Sequence, residues 1–347
     1  MRRTILILAS LALAGCGRGV RSRLEEPYPQ KLSTWRLFTG KPAELHPNQG
    51  VVPYDLNTTL FTDYAAKKRF VWMPPGQAAV YKPDDTFEFP EGAILAKTFS
   101  YADRIIETRL LVHAHSGWVA LPYVWNAAQT DAVLDVNADP VNIEWQGTKI
   151  HYAIPNSNQC RECHDQSKAT GPIGPKARHL NRDQDYPEGR FNQLEYWTRI
   201  GYLKGAPDVS KIARQPVWND PSTGSLDARA RAYLEVNCAH CHSPNGSASN
   251  TGLYLTDLPT DAMRMGFCKT PVSAGRASAG LLFDAVEGHP EESILLHRME
   301  SDEPKVMMPE IGRTLVHREG AALIRQWLSS MTLASLAGGC GVVRPAI

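Results

Sequence analysis

The sequence predicts an α+β protein of more than one domain, with an antiparallel β-rich region first and a mainly α-helical region after it. Three observations carry this. Between Leu32 and Pro155 the apolar residues come in short β-prone runs broken by Gly, Pro, Asn and Asp. From Cys160 onward the texture changes to helical periodicity and long loops. A chain of 347 residues, 43% of them apolar, can also bury more than one core.

The first residues have a different character. Met1-Arg2-Arg3 gives a positive start, and the apolar run that follows is too short to stay in a bilayer as a spanning helix. Residues 1–15 therefore read as a secretory signal and 16–31 as a tether. Leu13-Ala14-Gly15-Cys16 resembles the lipobox of bacterial lipoproteins, which implies acylation of Cys16 as the first mature residue; Gly17 in place of Asp at the next position points to the outer membrane. The alternative is cleavage after Ala12-Leu13-Ala14, leaving a soluble periplasmic protein.

The β-rich domain is expected over 32–158. Its strands include Ala93–Phe99, Arg104–Val112, Trp118–Trp125 and Val141–Trp145, and a boundary is expected near Pro155-Asn156. Three helices follow. One spans Phe191–Leu203, with Leu194, Trp197 and Ile200 as a core stripe. The second is capped by Ser225 and carries Leu226, Ala230, Tyr233 and Leu234 on one face into Cys238, with Asp227 favouring its positive end. The third runs from Arg318 to Met331 with Ala321, Ile324, Trp327, Leu328 and Met331 inward.

Charge says little about partners. Lys and Arg total 37 against 36 Asp and Glu, so no basic excess points to nucleic acid and no acidic tail to disorder. The cysteines say more. Of seven, four form Cys160-Arg161-Glu162-Cys163-His164 and Cys238-Ala239-His240-Cys241-His242. In CxxCH the two thiols, three apart on a helical turn, reach the vinyl groups of one porphyrin, and the adjacent His offers a nitrogen to iron. The motif occurs twice, so two covalently bound haem c groups are expected. A four-cysteine zinc cage normally separates its pairs by about 15–20 residues, whereas 74 lie between these, and an oxidising compartment disfavours thiolate zinc. Strained CxxC disulfides would not require His164 and His242. Cys268 and Cys340 remain as a possible disulfide, closing a loop whose constraint is worth about 4 kcal/mol.

Met308, in Val306-Met307-Met308-Pro309 and followed by a terminal helix, is the expected distal ligand opposite His242, with Met307 in reserve and Met299 and Met331 as packing. Ile154-Pro155-Asn156-Ser157-Asn158, ahead of the first motif, is not expected to be helical, and no Met lies between Cys163 and Met263. The sixth ligand of that iron is therefore a His, a residue from another domain, or nothing. His179 is the nearest candidate in sequence, and His113, His115 and His151 could reach from the β-rich domain. His240 points away from its own haem by spacing, and His317 opens the last helix.

The second half, with its helix into Cys238, its Met-Pro loop and its C-terminal helix, resembles a monohaem cytochrome c domain. The body from about Leu32 to Met331 resembles a family of bacterial di-haem c-type cytochromes that are usually predicted lipoproteins. The matching stretches include Pro53–Asn57, Tyr123–Asn126, Asn158-Gln159-Cys160, Pro172–Arg178, Asn237–His242 and Met307–Arg313. The resemblance implies a first haem segment at 159–221, a cytochrome c-like domain with the second haem at 222–332 and a tail at 333–347. It also implies electron transfer between periplasmic or membrane-side redox proteins, with the membrane reached through the lipid anchor and no role for nucleic acid. The runner-up is a di-haem peroxidase or oxidase in which the first haem keeps an open distal position.

Overall fold

Strand periodicity dominates the first part of the chain, and six strands pair in sequence order as an antiparallel meander. They are β1 (Val52–Tyr54), β2 (Ala66–Trp72), β3 (Ile94–Tyr101), β4 (Arg104–Ala114), β5 (Gly117–Trp125) and β6 (Ala132–Leu134). The structure is a computed structural model; it describes residues 19–331 except 138, 168 and 258–260, together with Cys340. The signal segment, Cys16 and the rest of the tail lie outside the described residues.

Successive side chains of a strand point to opposite faces, and both faces of this sheet are covered. Phe70, Trp72, Ile94, Ala96, Leu110, Val112 and Tyr123 pack on Trp35 and Leu37 on one side. On the other, Val71, Leu95 and Leu111 pack on Leu180, Leu194 and Trp197. Residues of the expected first haem segment, 159–221, thus help to complete the core of the sheet. Gln193 ties the two parts together, accepting from Asp55 N at 2.8 Å and donating to Asp55 O at 2.9 Å. A hairpin, β7 (Val141–Trp145) and β8 (Thr148–Tyr152), follows. Its two turn residues, Gln146 (φ 48°) and Gly147 (φ 75°), both take the positive φ that a tight two-residue hairpin turn demands.

Among the described residues six α-helices come next: α1 (Ser157–His164), α2 (Ala177–Leu180), α3 (Gln193–Arg199), α4 (Leu226–Leu234), α5 (Ile294–Met299) and α6 (Arg318–Ser330). Two expectations are corrected here. Ser157 and Asn158 are helical, because Asn156 caps α1 and exchanges hydrogen bonds with Gln159 in a capping box. Helix α3 is shorter than Phe191–Leu203, since Asn192 caps its start, Phe191 belongs to the strand Gly189–Asn192 and Leu203 to another; Leu194 and Trp197 are buried but Ile200 is exposed. Ser225 caps α4 through Ala228 N at 3.2 Å, and α4, α5 and α6 share a core of Tyr233, Leu234, Leu296, Ile324, Trp327 and Leu328.

The two regions are stitched by buried polar groups. Asp63 accepts from the backbone N–H groups of Thr314 and Leu315, both at 2.8 Å, and Asn237 Oδ1 accepts from Phe61 N at 2.8 Å. Cys268 and Cys340 form a disulfide with Cα atoms 4.9 Å apart, 72 positions apart in sequence. Among the described residues no helix is long and apolar enough to cross a membrane.

Candidate functional site

Helix α1 carries the whole first motif. Cys160 is buried, its sulfur 3.9 Å from Pro155 O, and burial pushes its thiol up while the Arg109 guanidinium opposes. His164 Nδ1 lies 2.8 Å from Gly171 O. A carbonyl only accepts, so Nδ1 carries the proton and Nε2 keeps its lone pair, the tautomer a metal-ligating imidazole needs. Burial is the largest influence on this ring and brings its pKa down to about 4; the Gly171 bond opposes, and Lys97, His240 and Arg109 add to the lowering. At neutral pH the ring is uncharged and able to ligate.

The second motif follows α4 without a break. The helix widens to a π turn over Glu235–Ala239, a distortion that recurs at functional sites, and the chain then folds back so that Cys241 N and His242 N both point to Cys238 O. His242 Nδ1 stands 3.4 Å from Thr251 Oγ1, and burial lowers its pKa as well. Gly246 presses on this turn: a Cβ there would lie 2.3 Å from Cys241 O and 2.7 Å from His240 O, so only glycine fits.

Cys238 and Met308 line one cavity, together with Met299, Phe61, Arg313 and His317. The Met308 backbone is held at both ends, its N–H donating to Arg298 O at 2.9 Å and its carbonyl accepting from Arg313 Nη2 at 2.8 Å. Met307 is not among the residues lining this cavity, whereas Met299, expected only as packing, is. His317 does more than open α6. It stacks on Phe61 at 4.1 Å and shares a 2.9 Å hydrogen bond with Tyr233 OH. Phe61, Tyr233 and Arg313 were not among the expected site residues; Phe61 lies 177 positions before Cys238 with no pattern linking the two.

The fold brings the two motifs against each other. Ligating atoms of Cys163, His240 and Cys241 all lie within 4.8 Å of one another. Gln166 donates to His240 O at 2.8 Å, Ser167 N donates to Asn245 O at 2.8 Å, and Cys241 Sγ is 3.9 Å from Glu162 O. The hydrogen bond from Cys163 lowers the pKa of Cys241, with the His240 ring helping, while the same bond and burial raise that of Cys163.

His179, the expected ligand nearest in sequence, is engaged elsewhere. Its Nδ1 is 3.0 Å from Gly174 O, and its Nε2 is 3.3 Å from Glu235 Oε2, an ion-pair distance off the line of a good hydrogen bond. It belongs to a buried cluster in which Lys176, Arg178 and Gln215 also converge on Glu235. The other three histidines have partners of their own: His113 stacks on Trp118, His115 faces Glu91 and His151 shares a hydrogen bond with Asn142. The imidazole brought to the first motif is instead His240, from the second.

A second cleft, lined by Ser22, Leu24, Trp72, Pro74, Pro90 and Glu91, contains no motif residue. Comparison with protein-family profiles, with curated proteins and with solved structures finds no match for this chain.

Proposed function

We propose that this chain is an exported c-type cytochrome whose two covalent haems pass electrons between redox proteins outside the cytoplasm, tethered to the membrane through Cys16. The observation that carries this reading is the meeting of the two CxxCH motifs at Cys163, His240 and Cys241. Electron tunnelling falls off steeply with distance, so two redox centres attached at adjoining motifs can exchange electrons within one chain.

When bound, haem supplies a reversible one-electron iron couple. The residues present suit it. His164 and His242 are uncharged imidazoles, and Gly171 O holds His164 by its Nδ1 side. Met308 is fixed at the cavity that Cys238 shares. The same convergence offers three ligands, two thiols and an imidazole, to zinc, which prefers four. Neither remaining motif cysteine is turned toward them to supply the fourth, Cys160 lying toward Pro155 O and Cys238 in the Met308 cavity.

The test is expression of the full chain in a host that matures c-type cytochromes, followed by haem staining after denaturing electrophoresis and metal analysis. Two haems per chain are expected, one of them lost on changing Cys160 and Cys163 to Ala and the other on changing Cys238 and Cys241. A single haem, or zinc in place of iron, overturns the reading.

A further inference from the structure

The face of the sheet that buries Val71, Leu95 and Leu111 carries a charged row one step along each strand: Arg69, Lys97 and Arg109 stand directly opposite one another in register. Like charges placed opposite each other weaken a sheet, and partly burying them adds a desolvation cost. Lys67 joins the row from β2. The charged ends of Lys67, Lys97 and Arg109 gather 5.9, 4.9 and 4.3 Å from the centre of one ring, Phe99.

The carboxylates that pair with this row are too few. Asp55 pairs with Arg69 and Arg182. Glu107 accepts from Arg109 Nε at 2.7 Å and from Tyr152 OH at 2.6 Å. Lys67 Nζ donates to Ala65 O at 2.7 Å. Lys97 Nζ has no hydrogen bond or ion pair among the described residues, and its neighbours Arg69, Lys67 and Arg109 add to burial in disfavouring its charge. The four basic side chains of the row, with Arg182, thus share two carboxylates. The row also faces the first motif: α1 packs on β5 beside it, and the charges of Lys97 and Arg109 reach His164.

We infer that this cationic row, centred on Lys97, binds the two propionate carboxylates of the haem attached at Cys160 and Cys163. The inference rests on the di-haem reading above. The thioethers would fix one part of the macrocycle and the row would hold its acidic edge, bringing in the two negative charges that the row lacks. It also gives the β sheet a role: the sheet is a wall of the first haem site and tunes its potential. A cation paired with a propionate favours ferrous iron, because it offsets negative charge that would otherwise stabilise the ferric state.

The test compares the haem-loaded full chain with Lys97→Gln, Lys97→Arg and, as a control, Lys68→Gln, an exposed residue whose side chain leaves the other face of β2. Redox titration gives the midpoints, and resonance Raman spectroscopy reads the propionate bending band. Lys97→Gln is expected to shift that band for one haem and to move its iron equilibrium toward ferric about tenfold, which is ~59 mV for one electron. Lys97→Arg keeps the charge and is expected to hold the midpoint; Lys68→Gln changes neither quantity. In the chain lacking Cys160 and Cys163, Lys97→Gln is expected to leave the remaining haem unmoved. With two haems bound, an unchanged band and midpoint in Lys97→Gln overturn the inference and leave the di-haem reading standing, as does an effect that persists in the one-haem chain. A wild-type chain without covalent haem overturns both.

Discussion

Removing the carboxylate of Glu235 tests the link between the second motif and the loop that covers the sheet. Glu235 opens the π turn into Cys238 and is only 4% exposed, yet Lys176, Arg178, His179 and Gln215 all converge on it. Burial alone would raise its pKa, but the His179 ring, Lys176 and Arg178 outweigh burial and hold it well below its ordinary 4.5. Glu235→Ala leaves Arg178 and His179 buried beside no anion. Breaking a buried pair from one side costs about 3–5 kcal/mol, against a total stability of about 5–15 kcal/mol for a typical native protein. Glu235→Gln keeps the shape but loses the charge-assisted bonds, worth about 1.5–3 kcal/mol for a hydrogen bond to a charged group. Replacing Arg178 and Glu235 together by Met is expected to cost less than Glu235→Ala, because the buried Arg178 guanidinium is no longer stranded, although Lys176 and His179 still lose their partner. Urea denaturation followed by near-ultraviolet circular dichroism measures each difference. The pH dependence carries the sign. A carboxylate with a lowered native pKa contributes stability that is fully present above about pH 4.5 and is lost as pH falls through the native value. The gap between wild type and Glu235→Gln is therefore widest above that pH and narrows in acid. A Glu235→Ala variant within 1 kcal/mol of wild type, or a gap that widens in acid, would refute the account.

Met308→Ala should abolish the long-wavelength sulfur-to-iron absorption of the oxidised protein and lower only the upper of two midpoints, since a thioether favours ferrous iron; Met307→Ala should do much less, and the reverse pattern would move the ligand by one residue. Gly320→Ala should destabilise the chain although Ala gains about 1 kcal/mol of helix propensity, because its Cβ would lie 2.3 Å from Tyr233 OH and 2.6 Å from His317 Nδ1; a higher melting temperature would count against that crowding. Changing both Cys268 and Cys340 to Ala should lower stability by about 4 kcal/mol in the loop-entropy account, read by the same urea titration, and no change would show that the bond constrains little. Cys16→Ala should move the protein from the membrane fraction to the soluble periplasmic fraction with haem content unchanged, and persistent membrane association would argue against the lipid anchor.

The three central strands of the meander, β3 to β5, and the last helix were legible because their signals are local. Short β-prone runs between turn residues, over Ile94–Tyr101 and Arg104–Ala114, mark buried strands whatever they pair with, and Ser225 ahead of an apolar stripe marks the start of α4 whatever it packs on. The CxxCH motifs were legible for the same reason, since three residues of spacing are set by a helical turn. Local signals misled where a polar cap intervened, at Asn156 and at Asn192, since capping depends on one side chain finding one backbone N–H.

What lay beyond the sequence is whatever depends on segments distant along the chain. Spacing alone named each motif, but the tertiary fold set them side by side and delivered His240 rather than His179 to the first. The fold also gathered Phe61, Tyr233 and His317 around Cys238 and Met308, and aligned Lys97 between Arg69 and Arg109. The physical reason is range. Periodicity, caps and covalent motifs act over a few residues, whereas burial and charge depend on which distant surfaces meet, and that is decided by the packing of the whole chain.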